Sequence, residues 1–491
     1  MTIIRGGRLL DIAKHTTESA DIRVEGDTIA EVGRPGLAAP AGTAAIDARG
    51  KILMPGLVNA HTHSHGNLGK GMGDRWTLEL LLNAAPWLGG NRGVEDKYLS
   101  ALVGAVEMVR KGCTACYDLC FEFPAPTVEG LDAAGRAYAD VGMRAVIAPM
   151  MADRAFYDAI PGLREALPAD VARVAMQPWQ ASLETTRRAF EGWKHDRDRV
   201  RLAVAPTIPL HCSDAFMEGC RDLAREHGAG FHMHLAESKI QAIAGLQRYG
   251  RTLTAHLDAL KILAPNFTAA HGIWLDDDDI KRLGDAGASV AHNPGGNMRL
   301  GSGLARARAM LERGVNVGVG TDGANCSDNL NVFEAMRFAS LVSKAQGPDY
   351  TRWLTTDEVL AMGTTGGARV LGMGDRIGRI APGYKADIVF LDSTHINYIP
   401  LNDIVNQLVH TEDGGGVESV MIGGRMVVDH GRLTTVDVSK LAERVAATVE
   451  RLGKANAQAR ALAERLEPVV GAFCRALAAR PYPVDRYGPT P

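Results

Sequence analysis

Residues 52–71, ILMPGLVNAHTHSHGNLGKG, run from an apolar segment into three histidines at alternate positions, His61, His63 and His65. Side chains on a strand alternate faces, so residues two apart point the same way and can share one ion. A solvated polar loop accounts for this stretch equally well when it is read alone. The remainder of the chain decides between the two.

Seven more short apolar runs follow, each separated from the next by a longer helical pattern: TACYDL, MRAVIAPMM, RLAVAPT, GAGFHMHLAE, FTAAHGI, ASVAHNP and NVGVGTD. Repeated strand and helix units imply a parallel sheet, and eight of them fit an α/β fold, the (β/α)8 TIM barrel. Active-site groups of such a barrel sit at the C-terminal strand ends. His61, His63, His234, His271, His292 and Asp322 all fall at or just past the ends of these runs.

The barrel is expected over residues 56–375. Before it, residues 1–55 read as short β pieces separated by Gly, Asp and Pro, and the same texture returns over 376–435 in GRIAPGYKADIVFLD and VESVMIGGRMVVDHGRL. The two segments are expected to pair as one small β-sandwich. Residues 436–491 read as a helical tail, with apolar residues at three- and four-residue spacing. It is expected to pack on the barrel or on another subunit, and it carries no chemistry.

Composition narrows the partners. A net charge of -3 offers no broad basic surface for nucleic acid. No apolar run spans a bilayer and the N-terminus has no signal-peptide core, so neither a membrane nor secretion is expected. Seven cysteines in 491 residues are no disulfide scaffold and fit a reducing cytoplasm. Cys113, Cys116 and Cys120 in KGCTACYDLC imitate a metal spacing, but with no second CxxC or histidine nearby they read as structural.

A hydrolytic zinc or iron site needs about four nitrogen or oxygen ligands and one open position for water. The barrel reading supplies His61 and His63 after the first strand, a histidine of HMHLAES after the fifth, and Asp322 after the eighth. His232 and His234 lie on one strand face and compete for the same role.

In this order the motifs PGLVNAHTH, HMHLAES, AAHGIWL, VAHNPGGNMRLGSG, GVGTDGANCSDNLNVFEAMR and GRIAPGYKADIVFLD resemble the amidohydrolase superfamily over nearly the whole chain. The branch of cytosine and guanine deaminases, S-adenosylhomocysteine and methylthioadenosine deaminases and triazine hydrolases is most similar. The resemblance implies a hydrolase of C–N bonds other than peptide bonds, an aminohydrolase of a small nitrogen heterocycle, working as a homo-oligomer. Its ligands would be His61, His63, His234 and Asp322, with the HxxE spacing selecting His234 over His232. Glu237 would carry a proton, His271 would orient the water and steady charge on its oxygen, and Asp322 would also act as base. A bound metal lowers the pKa of water towards ~7 and so makes hydroxide available for the attack that releases ammonia. Zinc is expected, and iron or manganese suits the same donors. Because the fourth run, RLAVAPT, ends without the lysine that bridges two metals in some relatives, one metal per subunit is expected. The same site cleaving another C–N or a C–Cl bond is the alternative.

Substrate choice belongs to loops around the mouth. Residues 64–93, rich in Gly and carrying Trp76 and Trp87, read as a lid or pocket wall. This loop lacks the glutamate that nucleoside deaminases of the branch place for ribose, and Thr207 stands where they have a histidine. His65, Trp76, Arg154, Thr207, His211, His292 and Asn297 are the substrate-pocket candidates. The serine usual before Asn297 is Gly296 here.

Overall fold

The computed structural model describes residues 1–487, so the last four residues of the expected tail lie outside the described residues. Five strands open the chain: β1 (Thr2–Asp11), β2 (Thr16–Glu25), β3 (Thr28–Gly33), β4 (Ala44–Asp47) and β5 (Lys51–Pro55). The barrel strands are β6 (Leu57–Thr62), β7 (Cys113–Phe121), β8 (Arg144–Met151), β9 (Val200–Leu202), β10 (Ala205–Pro206), β11 (Phe231–Leu235), β12 (Phe267–His271), β13 (Ser289–His292) and β14 (Asn316–Val319). The chain then rejoins its first sheet through β15 (Ile388–Asp392), β16 (Val417–Ile422), β17 (Arg425–Asp429) and β18 (Arg432–Leu433).

All eight apolar runs become barrel strands, and the fourth is split into β9 and β10. Two parallel ladders, β6-β7-β8-β10 and β11-β12-β13-β14, meet at both seams. At one seam Val204 N donates to Gly230 O at 3.0 Å, His232 N to Val204 O at 2.9 Å and His234 N to Thr207 O at 2.9 Å. At the other, Asp322 N donates to His61 O at 3.0 Å. Asn59 adds a two-point clamp there, accepting from Thr321 N at 3.0 Å and donating to Thr321 Oγ1 at 2.8 Å. The interior is filled chiefly by small residues, among them Ala60, Ala115, Ala148, Ala203, Ala205 and Ala291, packed round Tyr117.

The two β-rich segments share one nine-stranded sheet, in which β5 pairs antiparallel with β15 from Lys51–Asp392 to Pro55–Ile388. This sheet rolls on itself: Thr28 bridges to Lys385, and Ile29 N donates to Tyr384 O at 2.8 Å. Ile4, Ile22, Ile29, Leu53, Phe390 and Met421 fill the roll. The two segments thus build the expected small β domain together, its layers joined as one rolled sheet through β1, which pairs with β2 and β5 at once.

Helices Val438–Ala455 and Ala457–Ala478 form the tail. The second packs along helix Leu78–Gly89 at the barrel mouth, where Asn83 Nδ2 donates to Ala463 O at 2.9 Å. Just before it, Asn456 Nδ2 donates to Gly90 O at 3.0 Å. Cys113 and Cys116 are buried in β7, and among the described residues they join no cluster able to hold a metal. No helix of the described residues is long and apolar enough to cross a membrane.

One buried ion pair fastens barrel to sheet. Arg144 in β8 donates Nε to Asp387 Oδ2 at 2.7 Å and Nη2 to Asp387 Oδ1 at 3.1 Å, and both side chains are almost fully buried. Removing one partner strands a buried charge, so Asp387→Ala should destabilise the fold by about 3–5 kcal/mol. A clearly lowered thermal unfolding midpoint in that variant, with the wild-type midpoint as reference, checks this.

Candidate active site

Four strand ends deliver one cluster. His61 and His63 come from β6 and the residue just past it, His234 from β11, His271 from the last position of β12, and Asp322 follows β14. His271 and Asp322 both adopt left-handed backbone, with φ of 69° and 65°, and Ala236 joins them at 49°. Such non-glycine conformations cost of order 1–3 kcal/mol each and persist only where the surroundings enforce them. Here they turn the chain as it leaves the barrel, aiming the side chains inward.

His63 Nδ1 donates to Leu119 O at 2.7 Å, and His234 Nδ1 donates to Thr207 O at 2.8 Å. With both Nδ1 atoms turned to carbonyls, the two Nε2 atoms are left for a cation, and they face each other at 3.2 Å. Asp322 Oδ1 lies 3.3 Å from His63 Nε2 and 3.7 Å from His61 Nε2. Both ring nitrogens of His61 are buried without a hydrogen-bond partner. Three imidazole nitrogens and a carboxylate converging this closely repel one another unless a cation sits between them, and the set suits zinc. Burial first, then the neighbouring histidines, holds His61 well below the usual imidazole range, leaving it neutral as a ligand must be.

His61, His63 and His234 form one group able to hold an ion, and His61, His271 and Asp322 form an overlapping second. His232 belongs to neither. It sits a layer deeper with its ring 4.5 Å from that of Tyr117, so the competing-ligand reading of His232 has no geometric support.

Glu237 Oε2 lies 3.5 Å from His271 Nε2. Burial first, then the charges of Asp322 and Glu79, raises Glu237 well above the usual carboxyl range, so it keeps its proton. Burial acts upward on Asp322 too, but the neighbouring His63 and His271 and the Gly323 N–H outweigh it, so Asp322 stays ionised; before an ion binds, the contact between His63 Nε2 and Asp322 Oδ1 holds a proton where a cation would sit. Two carboxyls with opposed tendencies at one site mark a proton donor and a proton acceptor.

His271 Nδ1 lies 2.8 Å from Asn297 Oδ1. Asn293 Nδ2 lies 3.3 Å from the same Nδ1, so two asparagines hold the ring and leave Nε2 turned towards Glu237 and the cavity.

A cavity of about 230 Å³ opens over these groups, lined among others by His63, His234, Glu237, His271 and Asp322. Of the substrate-pocket candidates, His65, Arg154, Thr207 and His211 line it. His65 Nδ1 accepts from Phe121 N at 3.1 Å, so its Nε2 carries the proton and is a donor. Arg154 is tied to Cys212 O at 3.1 Å. His211 is pushed down to about 4 by burial and then by Arg248 and Arg154, and is neutral.

Trp76, His292 and Asn297 are outside this lining. Trp76 stands edge-on to Trp87, 6.0 Å away, and Arg460 of the tail covers Trp87. His292 lines a separate cavity between helices. Asn297 places its Oδ1 2.8 Å from His271 Nδ1.

Sequence reading missed Glu79. It stands on the mouth helix, is buried, and accepts from Ser238 Oγ at 2.6 Å, one residue beyond Glu237. It is not part of the cavity lining. Gly296 also has a reason to be glycine, because a Cβ there would lie 2.4 Å from Asp322 Oδ2. Gly296→Val, whose branched Cβ cannot turn away, should displace the Asp322 carboxylate and cut turnover by about tenfold or more. Steady-state kinetics beside metal analysis of the variant tests this.

Comparison with known proteins agrees with the geometry. The Amidohydrolase family matches residues 52–427. The chain is 34% identical over 404 residues to a 5-methylthioadenosine/S-adenosylhomocysteine deaminase of Syntrophobacter fumaroxidans, covering 82% of this chain and 86% of that one. It is 31% identical to a 5'-deoxyadenosine deaminase of Methanosarcina mazei, covering 92% and 93%. Among solved structures it is similar to a zinc-bound adenosine deaminase from Xanthomonas campestris, at TM-score 0.82, 27% identity and coverage of 92% and 98%. It is also similar to the zinc complex of an atrazine chlorohydrolase from Arthrobacter aurescens, at TM-score 0.82, 25% identity and coverage of 91% and 100%. With a four-donor cluster at the mouth of an eight-stranded barrel and a family match spanning most of its length, the chain belongs to the amidohydrolase family.

Proposed function

We propose that this enzyme is a metal-dependent hydrolytic deaminase that removes an exocyclic amine from a nitrogen heterocycle and releases ammonia. The observation that supports the reading is two overlapping groups of three donors, His61, His63 and His234 with His61, His271 and Asp322, beside a buried carboxyl, Glu237, that is raised well above the usual carboxyl range. We assign His61, His63, His234 and Asp322 as ligands of one divalent ion, zinc first and iron or manganese by the same donor chemistry. Such an ion supplies the Lewis acidity that makes water nucleophilic at neutral pH.

The remaining steps belong to the protein. Asp322 accepts a proton from the attacking water, and His271 Nε2 orients that water. Glu237 protonates the ring nitrogen as oxygen adds to the adjacent carbon. The proton held by Asp322 then passes to the amine, which leaves as ammonia, while the hydroxyl proton returns to Glu237 and the ring carbonyl forms. Every proton taken up is given back.

The wall above the floor is largely apolar, including Leu78, Leu81 and Leu82 of the mouth helix, Phe121, Phe123 and Met150. Among the described residues its only carboxylate besides Glu237 and Asp322 is Glu122. Thr127 N and Oγ1 and Lys97 already occupy the Glu122 oxygens. A ribose diol finds no free carboxylate there, so we place free bases and ring compounds with apolar substituents ahead of nucleosides. We also assign a cytoplasmic setting, supported by seven unpaired cysteines, and a homo-oligomer, supported by the family resemblance.

A second reading keeps the site and changes the leaving group, as likeness to an atrazine chlorohydrolase suggests. Ammonia release across purines, pyrimidines, pterins and aminotriazines separates the two. Deamination of at least one panel member is expected, and turnover with no ammonia formed overturns the deaminase reading. Glu237→Gln should retain the ion while losing about 10²–10⁴-fold in kcat.

A further inference from the structure

At the opposite, N-terminal end of the barrel strands lies a polar cavity of about 400 Å³. Tyr117 of β7 and Arg201 of β9 line it together with Arg197, His227, Arg369 and Arg376. Its one lining carboxylate, Asp198, is consumed by Arg376, which donates Nη1 at 3.0 Å and Nη2 at 2.7 Å. Arg197 is bonded to Phe190 O and Arg369 to Asn316 Oδ1, both neutral acceptors. Among the described residues Arg197, Arg201 and Arg369 pair with no carboxylate. Asp375 and Asp27 act on Arg201 and Arg376, and Glu226 on His227, from outside the lining, and positive side chains are in excess round the cavity.

Its donors are also unspent. Arg201 Nε and Nη2 are buried with no hydrogen-bond partner. These adjacent nitrogens form the guanidinium edge that grips an oxyanion through two parallel hydrogen bonds. Tyr117 is 1% exposed and its hydroxyl has no partner. His227 Nε2 is buried and unpartnered as well. Buried polar groups are almost always satisfied, and each one left bare costs about 1–3 kcal/mol. Several unsatisfied donors round one cavity with excess positive charge call for an acceptor bearing negative charge.

We propose that this cavity is a binding site for a tetrahedral oxyanion, phosphate in chemical class, held by the Nε–Nη2 edge of Arg201 and the hydroxyl of Tyr117. The site is separate from the mouth cavity and stands independently of the deaminase reading. Its place among the strand origins gives it a stabilising or regulatory part, because the reacting groups of this fold gather at the other end.

Titration of the full-length protein with inorganic phosphate, followed by calorimetry and by thermal unfolding at constant ionic strength, tests the proposal. Saturable binding near one ion per chain is expected, with a midpoint raised by a few degrees. Arg201→Gln should weaken binding tenfold or more. Tyr117→Phe, which keeps the ring and the packing, should weaken it several-fold and serves if the arginine variant does not fold. Arg154→Gln, at the mouth, should leave phosphate affinity unchanged. A small phosphomonoester run in parallel separates the sources: tighter binding than inorganic phosphate assigns a metabolite's phosphate, and weaker binding assigns the free ion. No saturable binding, an equal midpoint shift with sodium chloride, or affinity that survives both Arg201→Gln and Tyr117→Phe overturns the site.

Discussion

The Nε2 atoms of two imidazoles, held facing each other across 3.2 Å, are the constraint on which the site depends. His63 and His234 reach this opposition because each spends its Nδ1 proton on a carbonyl of a neighbouring barrel segment, Leu119 O and Thr207 O. The carbonyls fix ring orientation and tautomer together, the usual way a protein prepares histidine as a ligand. A third histidine with no partner and an ionised aspartate complete the arrangement. A cation satisfies this arrangement, and the cost of assembling it empty is borne by the rest of the fold.

That cost is met by the barrel. The seam between its last and first strands passes directly beneath the ligands, where Asp322 N bonds to His61 O and Asn59 clamps Thr321. The left-handed turn at Asp322 is held in place by these contacts. The tail helices act at a distance: Asn83 and Asn456 tie the mouth helix to the segment 456–463, so the apolar cavity wall is backed by residues that themselves touch no substrate. The tail thus backs the helix that carries Leu78, Leu81 and Leu82 into the cavity wall.

Most of this was legible in sequence where a residue's position on a strand dictates its direction. Eight apolar runs gave eight strand positions, and polar residues at their ends had to meet at one mouth. His232 and His234 shared a face, and the deeper of the two is separated from the site only by its depth along β11, which spacing does not encode. Substrate candidates were less legible because loop side chains have no such periodicity. Trp76 turned towards Trp87, His292 into another cavity and Asn297 onto His271, each following contacts between segments far apart in the chain. Glu79 was invisible for the same reason, since nothing near residue 79 announces a hydrogen bond to Ser238. The rolled sheet differs from two facing sheets only in the double pairing of β1, which composition does not reveal.

The central claim is that His61, His63, His234 and Asp322 hold one ion. Anomalous scattering from a crystal of the protein, recorded on either side of the absorption edge of zinc, iron or manganese, tests it most directly. One peak per chain is predicted, about 2.0–2.2 Å from a ring nitrogen of each of the three histidines and from an Asp322 carboxylate oxygen. A peak on His232 or on the Cys113 and Cys116 thiols, or an occupied ion that leaves His61 or His234 uncoordinated, would contradict the account.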